Sequence, residues 1–119
     1  MLDNLFGPHL SNLSRSMDRT TQRHALVSQN LANVNTPGYK RRDVEFGIEL
    51  EQAESRFQLN RRREAQVQVF EASNRLDGNS VDLEMEVAAL AETEARYRML
   101  TDMTNRYFSG LRNVIREGR

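Results

Sequence analysis

The sequence contains no cysteine and no tryptophan, and it has only two prolines among its 119 residues. Without cysteine the chain has no disulfide, no thiolate ligand for a metal and no cysteine nucleophile. Aromatic residues make up only 7% of the chain, a composition that suits long amphipathic helices better than a thick layered core. At this length the chain fits one domain or one elongated unit.

An excess of charge of either sign is also missing, because 17 basic residues offset 17 acidic ones. A neutral chain has no overall attraction for nucleic acid or for an anionic membrane. The longest unbroken apolar run, residues 87–91, is far too short to span a bilayer. The first residues have neither the basic segment nor the apolar run of a signal peptide, so we expect any export to proceed without a cleaved signal.

The first pattern that the sequence does contain is a heptad repeat near its start. Gly7-Pro8 favours a helix start, because proline tolerates the first helical position. The heptad predicts a helix of about 25 residues. Thr20 and His24 interrupt its seam, and the apolar seam residues are Leu10, Leu13, Met17, Val27, Leu31 and Val34.

This helix should end before the sequence Thr-Pro-Gly-Tyr at residues 36–39. The α conformation is disfavoured for a residue that precedes proline. Pro37 and Gly38 have the preferences of the two central residues of a type II turn. Asparagine side chains can bond local backbone groups at a helix end, and three asparagines occur at positions 30, 33 and 35.

The middle of the chain, residues 37–80, has a weaker and mixed pattern. Residues 44–50 alternate between apolar side chains and polar side chains or glycine, which indicates a strand. The apolar residues between Phe46 and Phe57 also fit one helical face, so we predict an extended start followed by a short helix. Val67 and Val69 indicate a short strand, and residues 77–80 have the composition of a turn.

A second long helix is predicted to begin near Asp82, which is a good N-cap. We interpret Glu84 and Glu86 as solvated acids or as acids that complement the helix dipole. Acidic residues occupy positions 82–94 and arginines dominate after them, which suits the same dipole. The apolar stripe of this helix consists of Leu83, Val87, Leu90, Tyr97, Leu100, Phe108, Leu111 and Ile115.

These patterns predict an all-α fold in which two long helices form an antiparallel coiled-coil hairpin. The N-terminal helix takes residues 1–36, the C-terminal helix takes residues 81–119, and the irregular middle holds a short helix, short strands or both. Two helices shield little of each other's surface. A stripe as wide as that of the second helix should stay partly exposed, and exposed apolar strips mark interaction surfaces. The sequence therefore indicates a subunit of an assembly.

The stretch at residues 30–40 resembles the signature of bacterial flagellar rod and hook proteins, the flagellar axial family. The matching residues are Asn30, Ala32, Asn33, Thr36, Pro37, Gly38, Tyr39 and Lys40. Residues 79–86 and 115–119 are similar to the proximal-rod branch of that family. The resemblance covers both ends of the chain and leaves residues 44–75 poorly matched.

The resemblance implies a structural subunit of the proximal rod in the flagellar basal body, located in the periplasm, with no catalytic activity and no cofactor. It implies head-to-tail assembly into a tubular drive shaft around the export channel, since heterologous contacts generate tubes. The implied partners are further copies of the chain, neighbouring rod proteins, the rod-to-membrane-ring adaptor and the flagellar export apparatus, with no nucleic acid and no membrane span.

Other function classes fit the residues less well. His9 and His24 lie about 22 Å apart on a straight helix, at ~1.5 Å per residue, so they cannot bind one metal together. We interpret His24 as a packed or interface residue. A nucleic-acid-binding protein would use Arg56 and the basic clusters at residues 40–42 and 61–63, but acidic residues interleave them. The other alternative is a cytoplasmic coiled-coil adaptor or secretion chaperone, which cell fractionation would separate from a rod protein.

Overall fold

The computed structural model describes residues 7–44, 67–73 and 75–118. The prediction of two dominant helices around an irregular middle is confirmed, and the middle contributes a small two-stranded sheet. In the described part of the chain, no helix is long and apolar enough to cross a bilayer. The elements in chain order are helix α1 (Gly7–Ala32), strand β1 (Arg41–Val44), strand β2 (Val67–Phe70) and helix α2 (Leu83–Glu117).

Helix α1 has 26 residues and carries the predicted seam. Val27 is completely buried, and the other five apolar seam residues are half-buried. Thr20 interrupts the heptad but is buried too, because its hydroxyl donates to the Ser16 carbonyl at 2.7 Å and is satisfied within the helix. His24 is exposed, so it does not pack inside the hairpin.

The two helices run antiparallel, as predicted. Near the turn, the Arg23 guanidinium donates to the Glu92 carboxylate at 3.1 Å. Further from the turn, the Thr104 hydroxyl lies 3.9 Å from the Met17 sulfur. Residue numbers thus fall along α1 as they rise along α2.

Helix α2 begins after Asp82, whose carboxylate accepts hydrogen bonds from the backbone amides of Glu84 and Met85 at 2.9 and 3.2 Å. The predicted N-cap is therefore confirmed. Glu84 is exposed, but Glu86 is completely buried, so its interpretation as a solvated acid is wrong. The inward face of α2 instead includes Glu86, Ala89, Thr93 and Leu100.

Strands β1 and β2 pair antiparallel, with Arg41 opposite Phe70 and Val44 opposite Val67. The strand predicted at Val67 and Val69 is confirmed. β1 lies on α1 with three of its four residues buried, whereas all of β2 is exposed. The short helix predicted between Phe46 and Phe57 lies outside the described residues.

The chain reverses direction at residues 36–39. The Tyr39 amide donates to the Thr36 carbonyl at 3.3 Å, and Gly38 has a φ of 70°. A positive φ at the third residue is what a type II turn requires. The Gly38 amide also donates to the Asp77 carbonyl at 2.8 Å, which ties the turn to the loop before α2.

We expect Gly38→Val to lower the free energy of unfolding by about 1–2 kcal/mol, because an L residue is disfavoured by that amount in the left-handed region. No atom lies within 4 Å of a Cβ added at this position, so the loss is conformational and not steric. Gly38→Asn should lose less, since asparagine tolerates this region better. Denaturant unfolding of both variants measures the difference. Wild-type stability of the valine variant would contradict the positive φ.

Candidate assembly site

The hairpin is fixed at its turn end by a cluster of buried polar side chains, which we call the polar junction. Its members come from α1, β1, the loop before α2 and α2 itself. Three of them have no exposed surface at all, Asn30, Asn79 and Glu86. The polar junction consists of Asn30, Arg41, Asp43, Asn79 and Glu86.

Arg41 lies at the centre of the polar junction. Its Nε donates to Glu86 Oε1, and its Nη2 donates to Asp43 Oδ2 at 2.9 Å. The guanidinium also lies over the Phe70 ring, 4.8 Å from the ring centroid, in a cation–π contact set by the strand register. Burial alone would lower the pKa of Arg41, but hydrogen bonds and charge from Glu86 and then Asp43 raise this pKa above its ordinary value, so the side chain stays charged.

The side chain of Asn30 in α1 forms hydrogen bonds with the backbone of β1 at the edge of that strand. Its Nδ2 donates to the Arg42 carbonyl at 2.7 Å, and the Arg42 amide donates to its Oδ1 at 3.1 Å, as a paired strand residue would do. The same Nδ2 donates to Glu86 at 3.1 Å, and the Tyr39 hydroxyl donates to Oδ1 at 3.3 Å. One side chain therefore joins α1, β1 and α2.

Asn79 binds the segment that follows α1. Residues 33–36 come directly after Ala32, the last residue of that helix. The Nδ2 of Asn79 donates to the carbonyls of Asn33, Val34 and Thr36 at 3.0, 3.0 and 2.8 Å. Its Oδ1 accepts from the Val81 amide at 2.7 Å. Asn79 thus connects the end of α1 to the start of α2.

Arg23 extends the polar junction along the hairpin. It donates to Asp43 at 3.0 Å and to Glu92 at 3.1 Å, so it links α1 to both β1 and α2. Across the described residues, every buried side-chain nitrogen and oxygen has a hydrogen-bond partner. A fully satisfied buried network stabilises one geometry over its alternatives. The polar junction therefore sets the register of the two helices.

Sequence reasoning missed the polar junction, because it assigned Arg41 to a basic cluster and Glu86 to a solvated face. A usable signal was present. Glu86 lies seven residues before Thr93 and fourteen before Leu100, so heptad spacing places it on the inward face. The burial of Arg41 between two carboxylates also removes it from the basic cluster considered for nucleic-acid binding. The other arginines considered, Arg56 and residues 61–63, lie outside the described residues.

The predicted stripe of α2 divides into two sets. Leu100 is buried and Leu90 and Leu111 are half-buried on the inward face. The other five are 44% to 68% exposed, and we call them flank P: Leu83, Val87, Tyr97, Phe108 and Ile115. These residues lie beside the seam and not in it, so α1 leaves much of their surface uncovered.

The family signature residues also occupy two environments. Asn30 belongs to the polar junction, Tyr39 is half-buried beside it, and Asn33 is half-buried at the end of α1. The exposed signature residues are Ala32, Thr36, Pro37 and Gly38. Among the residues that the structure describes, no group of three or more histidine, cysteine, aspartate or glutamate side chains is placed to bind a metal ion.

A family model described as flagella basal body rod protein matches residues 10–40, which contain most of α1 and the turn. The chain is also 34% identical over 109 residues to the flagellar basal body rod protein FlgB of Cereibacter sphaeroides strain ATCC 17029, with 79% of this chain and 83% of that protein covered. The chain belongs to the FlgB family of flagellar basal body rod proteins. The resemblance noted in the sequence is confirmed, including its branch.

Two further FlgB-family relatives match a larger share of the chain. FlgB of Bacillus subtilis strain 168 is 27% identical, with 97% of this chain and 98% of that protein covered. FlgB of Escherichia coli K12 is also 27% identical, with 87% and 89% covered. The FlgB-family match therefore extends across both helices and the middle segment.

Proposed function

We propose that this FlgB-family chain is a structural subunit of the proximal rod of the flagellar basal body and has no catalytic role. The observation that carries the proposal is flank P, because five large apolar side chains stay exposed after α1 has packed on α2. Monomeric soluble proteins rarely expose extended apolar patches, and such patches usually mark contacts between molecules. In a rod, each subunit has neighbouring subunits that make those contacts.

In this proposal the copies assemble head-to-tail around the export channel, in the periplasm. Its partners are further copies of itself, neighbouring rod proteins, the rod-to-membrane-ring adaptor and the export apparatus. The polar junction supports this role because it holds both helices in one register. Every copy then presents the same surface, as a repeating contact requires.

The signature residues hold the hairpin in shape at its turn end. Asn30 and Tyr39 hold the polar junction, while Pro37 and Gly38 shape the exposed turn at the end of the hairpin. The seam residues of α1, together with Leu90, Leu100 and Leu111 of α2, hold the hairpin itself. Flank P holds one copy against its neighbours.

The proposal predicts that Phe108→Asp abolishes rod assembly while the chain stays folded. Phe108 is 44% exposed, so the change in the free energy of unfolding should remain within about 1 kcal/mol. A charge buried between subunits without a partner is far more costly. Cells that carry only this variant should not swim, and their basal body fraction should lack the chain.

Ser109→Asp is the matched control, because Ser109 is the exposed neighbour of Phe108 and also gains one negative charge. We expect these control cells to swim and to contain the chain in their basal bodies. Normal motility of the Phe108→Asp cells would contradict the proposed role of flank P. Recovery of the wild-type chain only from the cytoplasm would contradict the rod assignment and favour an adaptor or secretion chaperone.

A further inference from the structure

Helix α2 has a second set of exposed apolar residues, which we call flank Q: Met85, Met99, Met103 and Val114. Met85 lies two positions from Val87, and Met99 lies two positions from Tyr97. Residues two apart on an α-helix point about 200° away from each other. Flank P and flank Q therefore lie on opposite sides of α2, and α1 packs on the side between them.

Met99 and Met103 of flank Q line an open groove. One cavity of about 400 Å³ is lined by both helices, with Thr20 of α1 on one wall and Ala95 and Met99 of α2 on the other. A second cavity of about 450 Å³ continues along α2 as far as Arg106. The small Ala95 leaves room in the groove, and methionine side chains adapt their shape to a partner. Flank P has the opposite character, because its aromatic rings project from the helix.

The charges of the groove and of the N-terminal half of flank P are complementary as well. The groove is bordered by more arginines than acids, namely Arg19, Arg96, Arg98 and Arg106 beside Glu92 and Asp102. Flank P has an exposed acid in its N-terminal half, Glu94, which lies three residues before Tyr97, and its exposed arginine, Arg112, lies in the C-terminal half. Opposite charges on two facing surfaces favour that pairing over the alternatives.

We propose that flank P of one copy packs into the groove along flank Q of a second copy. The inference rests on the proposed function, which supplies neighbouring copies. A second α2 is the fitting occupant, because the exposed face of α1 is polar, with Ser14, Arg15, Asp18 and Gln22. Since flanks P and Q are different surfaces, the contact is heterologous and repeats from copy to copy. The α2 helices then stand side by side.

Cysteine crosslinking tests this contact cleanly, because the natural chain contains no cysteine. The test variant combines Tyr97→Cys on flank P with Met99→Cys in the groove, and each single variant is made as well. Each is co-expressed with the wild-type chain, so that entry into the rod does not depend on the variant alone. Isolated basal bodies are treated with a short bismaleimide, and crosslinked products are detected by immunoblotting.

We expect no covalent dimer from either single variant and a ladder of two or more copies from the double variant. A dimer from Tyr97→Cys alone would mean that flank P faces flank P, and would overturn the inference. The pair Ser14→Cys and Gln22→Cys, on the exposed polar face of α1, is the control and should give no ladder.

The pair Val87→Cys and Met103→Cys tests the same two flanks with the second copy displaced by a further 14 residues along α2, or 21 Å at ~1.5 Å per residue. Absence of a ladder from both pairs, in basal bodies that contain the chain, overturns the flank contact and leaves the proposed function standing. If the wild-type chain is also absent from the basal bodies, the result contradicts the proposed function, and this inference fails with it.

Discussion

Glu86→Ala is expected to lower the free energy of unfolding by about 3–5 kcal/mol, the cost of removing one partner of a buried ion pair. The substitution leaves the Arg41 guanidinium buried with no acceptor for its Nε and with Asp43 as its only remaining carboxylate partner in the described residues. It also removes the acceptor that Glu86 offers to Asn30. Urea unfolding followed by circular dichroism measures the loss.

Glu84→Ala is the matched control for this substitution. Glu84 lies two positions away on α2 and is exposed, so its removal should change stability by no more than about 0.5 kcal/mol. The double variant Arg41→Met/Glu86→Leu should be more stable than Glu86→Ala, because an apolar pair leaves no buried charge. Asp43 retains Arg23 as its partner there. Equal losses for Glu84→Ala and Glu86→Ala would contradict the account of the polar junction.

Asn79→Asp is expected to lower the free energy of unfolding by about 3 kcal/mol or more. The substitution keeps the shape of the side chain but removes the donor that serves three backbone carbonyls. Each of these carbonyls keeps a second donor, so the main cost is a buried carboxylate that faces carbonyl oxygens and has lost the donor that Asn79 offered them. The new carboxylate would also face the C-terminal end of α1, where the helix dipole already disfavours negative charge.

Asn35→Asp provides the control for Asn79→Asp, because Asn35 lies in the same connection after α1 and is exposed. It adds the same charge near the same helix end without removing a buried donor. We expect its effect on the unfolding midpoint to be small. If both asparagine variants unfold at the same denaturant concentration, the Asn79 side chain does not stabilise the segment after α1 as described.

Local signals in the sequence were sufficient to predict the long elements. Gly7-Pro8 marked the start of α1, Thr36-Pro37-Gly38 marked the turn that follows it, and Asp82 marked the start of α2. Each of these signals acts through backbone preferences or hydrogen bonds within a few residues. Such effects do not depend on how the rest of the chain folds, so the sequence alone could establish them.

The polar junction could not be predicted in the same way, because its partners are distant in the sequence. Arg41 and Glu86 are 45 residues apart, and their contact depends on how β1 lies on α1 and where α2 begins. The placement of Phe70 against Arg41 depends on strand register, which is set by tertiary packing. The role of a charged residue in a heptad seam can be assigned only when its partner is known.

The division of the α2 stripe into a seam and flank P has a similar cause. Leu100 is buried and Tyr97 is exposed, although both were assigned to one stripe. Their positions differ by a small rotation of the helix, and only the packing of α1 decides which set faces inward. The apolar pattern therefore predicted that α2 has more surface than one partner helix covers, but not which residues remain uncovered.

Electron cryo-microscopy of basal bodies isolated from the bacterium tests the central claim most directly. We expect the rod to contain antiparallel helix pairs of the lengths of α1 and α2, 39 and 52 Å at ~1.5 Å per residue. In those pairs, flank P should be covered by a neighbouring subunit. A rod map that accommodates no such pair, or one in which flank P of every copy faces solvent, would contradict the account.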